Sequence, residues 1–228
     1  MKILFLSDIH SNFEALSKLE KYIENADKTF CLGDILGYYC QVNEVIDFLK
    51  EKNVICIVGN HDRYIISKNE IGEKKINESV IFGIDYAIKN IRSDNLEWLK
   101  NLPTSISFNF EGISILCCHG SPWNVTNEYL YINMEDRLDK LDEFEFNIIA
   151  FGHTHRRYLK ENKNKIILNP GSVGQARDLE TKVCAMLLDT ENYKIEIIEL
   201  DYDYKKIIEL SKNNGAGDYV YKHLGGRK

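Results

Sequence analysis

Five short apolar runs, each followed within a few residues by Gly, Asp, Asn or His, restrict this chain to an α/β arrangement. They are KILFL at residues 2–6, TFCL at 29–32, VICIV at 54–58, ISILCC at 113–118 and NIIAF at 147–151. Rich in β-branched or aromatic side chains and cut off by turn formers, they read as buried strands. Residues 12–25 place Phe13, Leu16, Leu19 (or Glu20) and Ile23 at helical spacing, and Val42 to Lys52 repeat it with Val45, Ile46 and Leu49. Strand, helix, strand, helix, strand predicts parallel pairing through right-handed crossovers. Residues 63–102 carry a charged helical pattern, with Ile84, Ala87, Ile88 and Ile91 on one stripe and Leu96, Trp98 and Leu99 ahead of Pro103. This segment is expected to cover one end of the sheet. The second half predicts an antiparallel finish. ISFNFEGISILCCH reads as two strands joined at Glu111-Gly112, followed by KIILNPGS, KVCAMLLDT and YKIEIIELD, with the last turn at Glu191-Asn192. After Asn213, a tail carrying Gly215, Gly217, Gly225 and Gly226 reads as a short helix with a frayed end.

With 228 residues, 44% of them hydrophobic and 28% charged, residues 1–228 are expected to form one globular α/β domain with its own core. A net charge of −6 argues against the clustered basic surface that sequence-independent nucleic-acid binding needs. The opening MKILFLSDIHSN is too short an apolar run for a secretion signal, and no later run approaches a membrane span, so no membrane association and a cytoplasmic location are expected. The six cysteines show no CxxC spacing, and Cys31, Cys56, Cys117 and Cys118 lie inside apolar runs. They are expected to be reduced core thiols.

Five of the six histidines fall just beyond the apolar runs. The run ends read Leu6-Ser7-Asp8-Ile9-His10, Cys31-Leu32-Gly33-Asp34, Val58-Gly59-Asn60-His61-Asp62, Cys118-His119-Gly120 and Phe151-Gly152-His153-Thr154-His155. Carboxyl ends of neighbouring strands in an open α/β sheet face one crevice, so these ends are expected to converge. Asp8 and His10 are two residues apart, as are His153 and His155, and in extended backbone such pairs project to one side. With Asp34, Asn60 and His119 they form a nitrogen and oxygen donor set without thiolate, suited to Mn, Fe, Zn or Co. Gly33, Gly59, Gly120 and Gly152 beside these residues allow sharp exits from the strands.

The ordered series Asp8-x-His10, Gly33-Asp34, Gly59-Asn60-His61-Asp62, His119-Gly120 and Gly152-His153-Thr154-His155 resembles the calcineurin-like metallophosphoesterase superfamily. GDILGYYCQVNEV, GNHDR, HGSP and NPGSVGQ are similar to its prokaryotic small-phosphoesterase branch. The resemblance implies two packed mixed β-sheets flanked by helices, a four-layer αββα sandwich, and two divalent metal ions, with manganese foremost in vitro and Fe, Zn, Co or Ni as alternatives. It implies that Asp8, His10 and His155 hold one ion, that Asn60, His119 and His153 hold the other, and that Asp34 bridges them. Two such ions about 3.5 to 4 Å apart activate a water for in-line displacement at phosphorus.

By the same resemblance His61 and Asp34 are catalytic, His61 protonating the leaving group or stabilising charge on the transferred phosphate. Asn60, Arg63 and Arg177 are expected to bind substrate, with Arg156 and Arg157 as further cations beside the motif loops. The protein-phosphatase branch reads GD-x-x-D-R-G in its second block, but this chain has Gly37 and Tyr38 there. The carboxylate that orients His61 must then come from elsewhere, with Asp62 the nearest in sequence. Trp123, Tyr129 and Tyr131 follow the His119 loop and are expected either to stack on a base or to pack on the 64–102 region. Residues 169–174 read as a structural loop beside the site. The expected function is a metal-dependent phosphoesterase cutting phosphodiester or phosphomonoester bonds of small or nucleotide-like substrates. Alternatives are a dinucleoside polyphosphate hydrolase, a protein phosphatase-like enzyme, a nuclease and a metal-bound scaffold with little turnover.

Overall fold

The computed structural model describes residues 1–72, 75–110, 112–162, 165–178 and 181–224. In chain order its elements are β1 (Lys2–Leu6), α1 (Phe13–Leu16), α2 (Glu20–Asn25), β2 (Lys28–Cys31), α3 (Val42–Glu51), β3 (Ile55–Cys56), α4 (Asn60–Ile66), α5 (Glu78–Asn90) and α6 (Ser93–Lys100). Then come β4 (Ser105–Phe110), β5 (Ile113–Cys118), α7 (Glu135–Asp139), β6 (Ile148–Ala150), β7 (Arg157–Asn162), β8 (Lys165–Pro170), β9 (Val183–Asp189), β10 (Lys194–Leu200), α8 (Tyr204–Asn213) and α9 (Tyr219–Leu224).

The strands form two five-stranded mixed sheets, ordered β10-β9-β1-β2-β3 and β4-β5-β6-β8-β7. In the first, β1, β2 and β3 are parallel, while β9 runs antiparallel to both β1 and β10. In the second, β5, β6 and β8 are parallel and β4 and β7 run antiparallel at the edges. The second half is therefore mixed rather than wholly antiparallel as expected. The chain from β5 to β6 passes through α7 and returns to pair in parallel, and from β6 it runs to β7 at the edge before β8 comes back between them, so β6 and β8 are parallel as well.

The alternation of side chains along β1 shows how the layers assemble. Ile3 and Phe5 join Phe30, Ile115, Ile148, Leu168 and Met186 in a core between the sheets, whereas Leu4 and Leu6 face Leu16, Val45, Ile46, Leu49, Ile84 and Leu99 on the helical side. On the far face of the second sheet Phe151 and Ile167 pack with Leu130, Leu138 and Leu141. The layers run helix, sheet, sheet, helix. All six cysteines are buried free thiols.

Several boundaries differ from expectation for local reasons. The helix expected over 12–25 is interrupted by a tight 3-10 turn at Ser17–Leu19. The Ser17 hydroxyl donates back to the Glu14 carbonyl at 3.2 Å, a bond that bends helices. VICIV pairs in the ladder only at Ile55–Cys56, because the Val58 N–H leaves the sheet for the Pro103 carbonyl at 2.9 Å. Ile88 does not join the buried stripe and is exposed. β7 has no apolar run to announce it: RYLKEN is a charged edge strand held by its partner β8. Glu111 and the expected frayed end at Gly225-Gly226 lie outside the described residues.

The 63–102 segment packs on α3 and on the loop that leaves β2. Gly83 of α5 makes that approach possible, since a Cβ there would lie 2.0 Å from the Tyr38 backbone nitrogen. Gly83→Ala is expected to destabilise the protein by about 1–3 kcal/mol through overpacking, measured by urea denaturation.

Candidate metal centre

The loops after β1, β2, β5 and β6, together with the first turn of α4, meet at one buried spot. The chain reaches it through left-handed backbone rather than the extended geometry expected from the Asp8/His10 and His153/His155 spacing. Asp8 has φ 55°, His10 55°, Asp34 52°, His153 69° and His155 57°. Non-glycine residues in this region each cost about 1–3 kcal/mol, so the surroundings must hold them. They do so by backbone bonds between loops: Asp8 N to Gly33 O, His10 N to Asp34 O and Ser11 N to Ile35 O, each 3.0 Å. The loop at 169–174 completes the clamp. Ser172 Oγ donates to Asp8 O at 2.7 Å, Gly174 N to Asp8 O at 3.0 Å, and Asn169 Nδ2 to Gly152 O at 2.7 Å.

Two groups of donor atoms result, Asp8, His10, Asp34 and His155 in one and Asp34, His119 and His153 in the other, all buried and sharing Asp34. Asp34 Oδ2 lies 3.8 Å from His10 Nε2 and 3.4 Å from His119 Nε2. Asp8 Oδ1 is 3.3 Å from His155 Nε2 and 3.7 Å from His10 Nε2. Asn60 Oδ1 joins the second group at 3.1 Å from His119 Nε2, which is also 3.1 Å from His153 Nδ1.

The outer ring nitrogens tell which atoms face inward. His10 Nδ1 is 3.3 Å from the Leu36 carbonyl, His119 Nδ1 is 2.8 Å from that of Leu32, and His155 Nδ1 is 2.8 Å from that of Gln175. A carbonyl only accepts, so each Nδ1 carries its proton, and in a neutral ring the lone pair is on Nε2. His10 Nε2 and His155 Nε2 then face one another at 3.0 Å in a fully buried setting, a repulsive arrangement of lone pairs that a shared cation would relieve. The donor set fits a divalent metal. Burial disfavours charge on His119, yet Asp34 outweighs it and pushes the imidazole up to about 9. Asp34 in turn sits well below the usual carboxylate range: burial opposes this, and His119 and His61 overcome it.

His61 lies against this centre in the first turn of α4, with its backbone N–H donating to Asp34 Oδ1 at 2.9 Å. Asp62 does not orient its ring. The Asp62 carboxylate accepts from the backbone N–H groups of Ile35, Leu36 and Gly59 at 3.1, 2.9 and 2.9 Å, tying the β2 loop to the helix start. Burial, and then Asp34, raise this carboxyl to about 7. The ring of His61 is instead positioned by Tyr38, which stacks on it with centroids 5.0 Å apart and planes 25° apart. Gly37, at φ 111°, leaves room for this: a Cβ there would stand 2.6 Å from His61 Nδ1. Gly37 and Tyr38, first visible as a departure from another branch, are thus the seat of the histidine. Burial lowers the His61 imidazole to about 4.

A cavity of about 410 Å³ opens over Asn60 and His61, walled by Tyr38, Tyr64, Tyr129 and Arg177 among others. Arg177 donates from Nη2 to the Tyr38 hydroxyl at 3.1 Å. Tyr129 stacks on His153 at 3.6 Å. Arg63, expected to bind substrate, turns from the cavity toward Glu70 at 2.8 Å and Thr126 at 3.2 Å, where an ion pair neutralises it. Trp123 packs on Arg137 and Phe144 rather than on the 64–102 region.

The chain matches the calcineurin-like phosphoesterase superfamily domain over residues 1–193. It is 33% identical over 246 aligned positions to an uncharacterised protein of Methanocaldococcus jannaschii, covering 97% of this chain and 96% of that one. Among solved structures it is similar to a metallophosphoesterase from Sphaerobacter thermophilus, with a TM-score of 0.82 at 22% identity, and to a hypothetical protein from Pyrococcus horikoshii, with a TM-score of 0.85 at 23% identity. Each alignment covers 100% of this chain and 99% of the other. On the family match, and on the buried Asp and His groups that agree with it, this chain belongs to the calcineurin-like phosphoesterase superfamily.

Proposed function

We propose that the chain hydrolyses phosphodiester or phosphomonoester bonds of small or nucleotide-like substrates at a centre of two divalent cations. Membership of the family supports a phosphoesterase hydrolase that works with divalent metal ions. The observation that carries the finer reading is the position of Asp34, common to both buried donor groups. On this reading Asp8, His10 and His155 would hold one ion, Asn60, His119 and His153 would hold the other, and Asp34 would serve both. The ions supply Lewis acidity toward phosphate oxygens and an activated water as nucleophile.

The protein's own groups do the rest. Asp34 keeps its negative charge despite its burial because the His119 imidazole, which holds its proton, lies beside it. The carbonyls of Leu36, Leu32 and Gln175 fix the imidazole tautomers, so the inward nitrogens need no rearrangement. His61, neutral near pH 7, offers an N–H to the phosphate or the departing oxygen rather than storing a proton, and nearby cations lower its basicity further. Arg177 adds a guanidinium at the cavity wall, aimed by the Tyr38 hydroxyl. A cavity of about 410 Å³ suits a small ester or a nucleotide.

Asp34→Asn removes the shared charge while keeping an oxygen for the His61 backbone N–H. It is expected to lower manganese-dependent kcat/KM on bis(p-nitrophenyl) phosphate more than about a hundredfold with an unchanged circular dichroism spectrum. Wild-type rates in this variant would refute the assignment. Because the His119 imidazole binds its proton up to about pH 9 in the metal-free chain, cation binding must displace it. Apparent manganese affinity should therefore rise with pH up to that value, with proton release visible by calorimetry in buffers of different ionisation enthalpy. Uptake of protons, or no pH dependence, would contradict the role given to His119.

A further inference from the structure

Beside the metal centre lies a second cavity, of about 550 Å³, walled by Arg156, Arg157, Arg177, Asp178, Lys182, Cys184 and Glu199. Among the described residues four cations and two carboxylates line it, in a chain whose overall charge is −6. Both carboxylates are engaged by Arg157, whose Nε donates to Asp178 at 2.7 Å and whose Nη1 donates to Glu199. Arg157 is thereby fixed as framework. Arg156 and Arg177 then bring two further guanidinium groups to the cavity wall.

Arg177 lines both this cavity and the one over His61. Its backbone N–H donates to the His155 carbonyl at 3.0 Å, which anchors it to a proposed metal ligand. Its guanidinium contacts neutral groups, the Tyr38 hydroxyl at 3.1 Å and Gln175 Oε1 at 3.5 Å, so its charge is not cancelled by these partners. A ligand passing from one cavity to the other therefore keeps contact with one cation throughout. Planar guanidinium groups suit the paired oxygens of phosphate.

We infer that the second cavity is an anion subsite, which receives a further phosphate of a substrate whose scissile phosphate lies at the metal centre. This rests on the proposed phosphoesterase reading and narrows it to small esters of diphosphate or longer phosphate chains, ahead of isolated monophosphates. Recognition at Arg156 and Lys182 raises affinity for such substrates without touching the reacting atoms.

The test titrates inorganic pyrophosphate calorimetrically into the full chain without added metal, for wild type and for an Arg156→Ala/Lys182→Ala variant. In parallel, manganese-dependent hydrolysis of bis(p-nitrophenyl) phosphate, which carries a single phosphate, is measured in both proteins. Pyrophosphate binding that weakens at least about tenfold in the variant, with kcat/KM on the single-phosphate ester unchanged, is expected. Equal pyrophosphate binding by both proteins, or none by wild type, would overturn the subsite. So would a parallel loss of turnover in the variant, since the two residues would then serve the centre itself. A single-stranded oligonucleotide that binds more tightly than pyrophosphate, and loses that binding in the variant, would overturn the assignment to small polyphosphate esters. If wild type hydrolyses no ester but the variant still loses pyrophosphate, the functional reading fails while the anion site stands.

Discussion

The carboxylate of Asp34 is the point on which this molecule turns. Its Oδ1 accepts the His61 N–H, and its Oδ2 faces His10, His61 and His119 at 3.8, 3.9 and 3.4 Å. It is buried and charged, a combination that costs several kcal/mol unless partners compensate. The surrounding imidazoles supply that compensation, which is why its proton affinity falls while that of His119 rises. A cation on either side would replace the proton and strengthen the same arrangement.

Such a cluster persists only if its backbone cannot relax. Five of its side chains sit on left-handed residues, and each of those loops is bonded to another loop. The two sheets provide the frame: β1 and β2 deliver Asp8, His10 and Asp34 from one, and β5 and β6 deliver His119, His153 and His155 from the other. The polar centre thus lies where the ends of the two sheets meet, and the apolar core between Phe5, Phe30, Ile115 and Ile148 fixes their separation. Packing energy far from the site holds the donor atoms in place.

Much of this was legible in the chain because apolar runs and polar ends are both local signals. Parallel β1, β2 and β3, the hairpins at either end and the convergence of the candidate ligands follow from them. The left-handed conformations were not legible, since spacing of two suggests extended backbone until the inter-loop bonds are seen. Nor was β7, a charged edge strand whose pairing comes from β8. The role of Tyr38 was hidden for a related reason. Stacking on His61 depends on Gly37 leaving space and on α5 pressing Gly83 against the loop, contacts between residues distant in sequence. Asp62 misled in the opposite direction, because sequence adjacency to His61 says nothing of the three backbone N–H groups that claim its oxygens.

The central claim is that one buried carboxylate serves two cation sites at once. The most direct measurement is the number of manganese ions held per chain, by native mass spectrometry of the wild-type protein. Two ions per chain are predicted. A single ion at saturation would contradict the account, because Asp34 would then complete only one of the two donor groups.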